Sequence, residues 1–128
     1  MGTASHIALV FLGGGLGSVA RYGLSGVVYR FLGTAFPYGT LTVNILGCFL
    51  IGLIFLGLEE RWATVGPSFR LLVAIGMLGG FTTFSSFTYE TVALIRDGEF
   101  LYALLNVAAN MLVCLAATFA GLWLGKLL

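Results

Sequence analysis

Charge is what this sequence has least of: charged residues make up 9% of its 128 positions, against roughly 25% in soluble proteins. A mean hydropathy of +1.07 and a hydrophobic fraction of 59% exclude an ordinary soluble domain, because so small a chain cannot hide that much apolar surface. A basic excess is also missing. Six Lys+Arg against five Asp+Glu leave a net charge of +1, which excludes nucleic-acid binding as a main role, since neutralising phosphates takes clustered cations. Cysteine is scarce. Cys48 and Cys114 sit inside apolar runs with no CxxC spacing, so we read both as small membrane hydrophobes and expect no disulfide. Nucleophile–base arrangements, paired carboxylates and phosphate loops are missing too, so no enzyme is expected. The start MGTASHIALV lacks a basic n-region, and no cleavable signal peptide is expected.

What is there is four apolar stretches punctuated by Arg21, Arg30, the cluster Glu59, Glu60 and Arg61, then Arg70, Glu90, the cluster Arg96, Asp97 and Glu99, and Lys126. Each stretch reaches the roughly 20 residues that a helix needs to cross about 30 Å of hydrocarbon. The reading is an all-α membrane protein, one domain over residues 1–128, with spans at about 7–29, 39–58, 71–95 and 100–126. Strands would need a period-two alternation that the sequence does not have.

Basic residues do not orient the chain. Arg61, Arg70 and Lys126 fall on one side, and Arg30, Arg96 and the nearer Arg21 on the other. Such a balance is either noise or the mark of a chain that inserts both ways and pairs with an inverted copy. Nineteen glycines include Gly13/Gly17, Gly76/Gly80 and Gly121/Gly125 at GxxxG spacing, which predicts close helix packing within or between subunits.

Polar residues at membrane depth are the functional candidates, because an unsatisfied one costs on the order of 2–7 kcal/mol. The run Gly79-Gly80-Phe81-Thr82-Thr83-Phe84-Ser85-Ser86-Phe87-Thr88 makes a poor continuous helix, and a break near 79–83 is expected, with freed carbonyls available to a cation. Phe84 and Phe87 share a helix face; they are either core packing or two ring edges turned toward an anion. Asn44 shares a face with Thr40 and Gly47, offering two N–H donors or a bond to another helix. Tyr102, Asn106, Asn110 and Cys114 recur every four residues as a polar stripe, the pattern of a water or ion track. Arg21 either draws anions or snorkels to headgroups, and Glu90 caps or pairs across helices. His6 is assigned nothing.

Taken together, GGGLGSVARY at 13–22, the Thr40–Gly47 segment and GGFTTFSSF at 79–87 resemble the CrcB/Fluc family of small fluoride channels, over essentially the whole chain. The resemblance implies an antiparallel dual-topology homodimer of four-helix subunits in the bacterial inner membrane, with two fluoride pores and a central structural sodium ion. It implies Phe84 and Phe87 as ring-edge fluoride contacts, Asn44 as side-chain donor, and the carbonyls of Gly79 and Thr82 as sodium ligands; Arg21 and Glu90 also match. The expected fluoride pathway is thus Asn44, Phe84, Phe87, Thr40, Ser86, Tyr102, Asn106 and Asn110. The family often has small hydroxyl residues where this chain has Asn106 and Asn110.

Two other classes stay open from sequence. A small multidrug-type proton-coupled antiporter would need a coupling acid, for which Glu90 is the sole candidate. A scaffold subunit of a membrane complex would explain the glycines but not the polar stripe.

Overall fold

The computed structural model describes residues 2–57, 63 and 66–128; the charged cluster Glu59, Glu60 and Arg61 lies outside the described residues. Four helical spans, Thr3–Leu32, Tyr38–Leu56, Gly66–Arg96 and Phe100–Leu127, are long and apolar enough to cross a membrane. The first we label α1 and the second α2. The third consists of α3, residues 66–81, and α4, Phe84–Arg96. The fourth is α5. The shortest, at 19 residues, still spans about 28 Å at 1.5 Å per residue. No strand occurs among the described residues.

The turns are set by glycine where the backbone must go left-handed. Gly33 ends α1 at φ 81° with its N–H on the Tyr29 carbonyl at 2.9 Å. Gly98, at φ 77°, closes α4 with two bonds, Gly98 N–H to Ile95 O at 3.1 Å and Glu99 N–H to Leu94 O at 2.8 Å, the paired closure that a left-handed residue after a helix permits. α5 starts immediately after, so α4 and α5 lie side by side.

Glycines bring the spans together at backbone distance, because lipid tails are as apolar as the helix faces and close packing becomes a main source of attraction. A Cβ on Gly13 would sit 2.9 Å from Gly76 Cα, and one on Gly80 would sit 2.6 Å from Gly14 O. Gly17 faces the Met77 carbonyl just as closely. Two of the three GxxxG pairs therefore pack α1 on α3 within the chain. Gly121 of the third meets α2, where a Cβ would come 2.7 Å from Leu53 N, and Gly52 meets Thr118 from the opposite side.

Three spans carry a stretch of π-helical bonding: Gly52–Gly57 in α2, Arg70–Leu78 in α3 and Ala109–Val113 in α5. In α3 this shows in Gly79, whose N–H reaches back five residues to Ala74 O. The outer faces are apolar, with Phe11, Tyr22, Phe31, Phe100 and Trp123 all exposed, as suits a lipid solvent. The interior joins apolar Val43, Leu78, Phe81 and Phe87 to a set of polar groups: Thr40, Asn44, Thr91, Asn106 and Asn110 are also buried.

Candidate functional site

Between α3 and α4 only Thr82 (φ −84°, ψ 160°) and Thr83 (φ −151°, ψ 123°) take extended backbone. The extended stretch is narrower than the 79–83 read from sequence. Gly79 keeps helical angles, φ −62° and ψ −40°, and the helix continues through Phe81. Thr83 caps α4: its Oγ1 accepts the Ser86 N–H at 3.1 Å, the usual way a hydroxyl satisfies an orphan donor at a helix start. Thr82 Oγ1 turns back to Leu78 O at 3.0 Å.

Side chains take the donors that a continuous helix would have given to its carbonyls. The Thr83 N–H, the i+4 donor for Gly79 O, goes to Asn44 Oδ1 at 2.8 Å. The Ser86 N–H, the i+4 donor for Thr82 O, goes to Thr83 Oγ1. Gly80 O accepts instead from Arg21 Nε at 3.1 Å. Arg21 thus places a cation on the C-terminal end of α3, where the helix dipole favours it.

Asn44 begins an amide ladder. Its Nδ2 donates to Thr83 O at 3.0 Å and to Asn110 Oδ1 at 2.9 Å, so both amide hydrogens are engaged. Asn110 Nδ2 donates to Asn106 O at 2.9 Å and Oδ1 at 3.0 Å. Asn106, which is 0% exposed, donates to Thr91 Oγ1 at 2.9 Å, and Thr91 donates to Phe87 O at 2.8 Å. The ladder links α2, α5 and α4 at membrane depth. Leaving any one of these groups unpaired there would cost on the order of 1–3 kcal/mol.

A cavity of about 200 Å³ opens beside the ladder, lined by Asn44, Thr82, Thr83, Phe84, Phe87 and Asn110, with Cys48, Met111 and Cys114 completing its wall. Phe84 and Phe87 stand with ring centroids 5.4 Å apart and planes at 59°. Phe87 is buried, but Phe84 is 68% exposed, so the cavity has one open side.

A second, larger hollow of about 660 Å³ is lined by Ser18, Arg21, Arg30, Thr40, Ser86 and Glu90 among others. Glu90 Oε1 accepts from Thr40 Oγ1 at 2.7 Å, pairing α4 with α2. Its Oε2 is buried with no partner among the described residues.

Eight of the candidates therefore fall into two groups around one threonine-bearing turn: Asn44, Phe84, Phe87 and Asn110 on the cavity, and Thr40, Ser86, Arg21 and Glu90 on the hollow. The polar stripe of α5 is divided. Asn110 and Cys114 reach the cavity, Asn106 lies behind it in the ladder, and Tyr102 stacks edge-on against Phe36 at 5.6 Å. Thr83 and Thr91 carry structure that the sequence reading left unassigned. Thr83 could have been found from its position ahead of Ser86 as a helix cap, and Thr91 from sharing a face with Phe87.

A helical bundle of four apolar spans, with a buried amide ladder and a ring-lined cavity at membrane depth, defines a small multi-pass membrane protein. Residues 8–122 match the family described as CrcB-like protein, Camphor Resistance (CrcB), and the chain belongs to that family. It is 53% identical over 116 residues to the fluoride-specific ion channel FluC of Geobacter metallireducens, covering 91% of this chain and 93% of the relative. The protein of the same name from Citrifermentans bemidjiense is 47% identical over 123 residues, 96% of each chain. That of Geotalea uraniireducens is 48% identical over 128 residues, the whole of both.

Proposed function

We propose that this chain is a passive fluoride-selective channel that lets cytoplasmic fluoride out and so protects against fluoride toxicity. The observation that carries the reading is the cavity in which Asn44, Phe84 and Phe87 meet, in a chain similar along its whole length to relatives named as fluoride-specific channels. Fluoride enters from acid surroundings as neutral HF and ionises inside at neutral pH. A pore then needs only to carry the anion down its gradient. Positive ring edges and amide hydrogens suit that task, since each is too weak to trap a dehydrated anion, yet low surrounding polarity strengthens them in series. Asn44 serves the ion by exchanging its bond to Asn110 for one to fluoride, while its bonds to Thr83 hold the turn. Thr40 and Ser86 line the approach beside Arg21 and Glu90, and Tyr102, Asn106 and Asn110 continue the track along α5. A coupling acid for antiport would belong in the cavity, and Glu90 lies in the hollow instead. No catalytic step is part of this reading.

The working unit in this proposal is an antiparallel homodimer of dual topology in the bacterial inner membrane. A second copy closes the open side of the cavity at the exposed Phe84. A sodium ion at the dimer centre takes the carbonyls of Gly79 and Thr82 from each copy. Those oxygens fit a hard cation, because the helical donors opposite them go to Asn44 and to Thr83 Oγ1, and a hard cation seeks oxygen without needing a carboxylate. The deciding experiment is fluoride efflux from liposomes containing the purified protein with no proton gradient imposed. Efflux on the voltage-driven pathway supports the channel; an absolute need for a proton gradient overturns it.

A further inference from the structure

Cys48 on α2 and Cys114 on α5 are both free thiols, and neither has a part in the fluoride reading. The fold brings them together. Both side chains line one wall of the same cavity, one from α2 and one from α5. Their backbones are tied by one hydroxyl: Thr118 Oγ1 lies 3.1 Å from Cys48 O and 3.1 Å from Cys114 O. Close packing of Gly121 and Gly52 across the same two helices fixes the pair further. Both cysteines line the cavity that holds Asn44, Phe84, Phe87 and Asn110, so a solute in the cavity meets two sulfurs on one wall.

We propose that Cys48 and Cys114 form a two-sulfur site for a soft, thiophilic cation of d10 configuration, the class that includes Hg(II) and Cu(I), and that its occupation blocks the cavity. Thiolate sulfur selects soft metals, and geometry selects among them. Among the described residues no third His, Cys, Asp or Glu joins the pair. A tetrahedral zinc site, which takes four ligands and at least three from protein, is therefore not built here. Two cysteines on one cavity and no third ligand suit a metal content with two-coordinate binding. In the binding step each thiol loses its proton, two metal–sulfur bonds form and two protons leave to solvent, with no change of oxidation state; occupancy accordingly rises with pH. With its two thiolates a bound Hg(II) is neutral and a bound Cu(I) carries one negative charge, so the metal blocks by filling a cavity of about 200 Å³ beside the phenylalanine edges and the Asn44 donors.

This inference rests on the cavity being the fluoride path, and the experiment separates the two. Hg(II) is added to the full-length protein in detergent, bound metal is counted by native mass spectrometry, and free thiols are counted with a maleimide. The expected result is one Hg(II) per chain and the loss of both thiols together, with Cys48→Ser and Cys114→Ser each abolishing the stoichiometric binding. Serine is close to cysteine in size, so a folded variant that still binds one Hg(II) per chain overturns the site. In liposomes, Hg(II) should remove most of the fluoride efflux of the native protein, while the double-serine protein keeps whatever efflux it had before metal was added. Unaltered thiol counts in the native protein overturn the two-sulfur site whatever the flux does. Stoichiometric binding with undiminished efflux leaves the metal site standing but overturns the block, and with it the cavity as the path. No efflux from untreated native protein bears on the channel reading alone.

Discussion

Asn44 and Thr83 pair as two strands would: the Thr83 N–H donates to Asn44 Oδ1 at 2.8 Å, and Asn44 Nδ2 donates to Thr83 O at 3.0 Å. A single side chain of α2 thus satisfies both backbone groups of the residue at which the third span leaves the helix. Buried extended backbone in a membrane must find such partners, because no water is available. The pairing also decides how the first variant should behave.

Asn44→Asp keeps the acceptor for the Thr83 N–H and loses both donors, setting a carboxylate against Thr83 O and Asn110 Oδ1. Fluoride efflux from liposomes should collapse, and the protein should lose on the order of 1–3 kcal/mol or more of stability. Native efflux from a stable Asn44→Asp protein would show that this amide has no place in the pathway.

The two phenylalanines should respond differently in stability and alike in flux. In the single chain Phe84 is 68% exposed and Phe87 only 5%, so Phe84→Ile should cost the packing within the chain little, while Phe87→Ile loses roughly 1–3 kcal/mol through misfit packing. Both should lose fluoride efflux, since isoleucine has no positive edge. Efflux at the native rate from either protein would make that ring a packing residue.

Gly76→Ala should prevent close packing of α1 on α3, because the added carbon would lie 2.8 Å from Gly13 Cα. Backbone cannot yield as a flexible side chain can. Size-exclusion chromatography after heating should show earlier aggregation than for Gly26→Ala, where an added carbon meets nothing within 4 Å. Equal behaviour of the two proteins would count against the glycine contact.

Thr91→Val removes the acceptor of the fully buried Asn106 amide, and should cost about 1–3 kcal/mol. Adding Asn106→Leu should recover part of that loss, since the stranded Asn106 donor goes with it, while Asn110 Nδ2 gives up the Asn106 side-chain oxygen and keeps the backbone one. A double variant as unstable as the sum of the two single changes would mean that the bond is not coupled.

Dual topology predicts that a cysteine placed at the C-terminus of a protein lacking Cys48 and Cys114 is labelled from both faces of the membrane in whole cells. Labelling from one face alone would remove the inverted dimer and the shared cation site with it.

The spans were legible because composition leaves a stretch such as Phe100–Leu127 no other form: it is apolar, uncharged until Lys126 and long enough to cross. Thr82 and Thr83 lay within the run singled out as a poor helix, but their position as the extended pair is decided by the Thr83 cap and by Asn44, a partner 39 residues away. Local pattern cannot supply such a partner. For the same reason the asparagine stripe was visible while its use was not. Spacing shows that Asn106 and Asn110 share a face, yet whether that face meets water or Thr91 depends on how α4 lies on α5. Arg21 is a clear case of the limit: sequence offered an anion lure or a headgroup contact, and the structure gives it a backbone carbonyl.

The π-helical stretches of α2, α3 and α5 have a consequence for how this fold can change. A π turn holds one residue more than the α-helical turn it replaces, so it acts as a phase slip of about 100° between the two parts of the span. In α3 the slip lies within Arg70–Leu78, ahead of Gly79 and Gly80, and it sets the rotation of the glycine face against the rotation of everything that follows. The loss of one residue from Arg70–Leu78 would let the span relax to plain α-helix without dislodging the Thr82–Thr83 turn, whereas the loss of one residue from a regular stretch such as Phe84–Arg96 would rotate Glu90 and Thr91 away from Thr40 and Asn106. Length variation among relatives is thus expected to be tolerated inside these stretches and rejected between them.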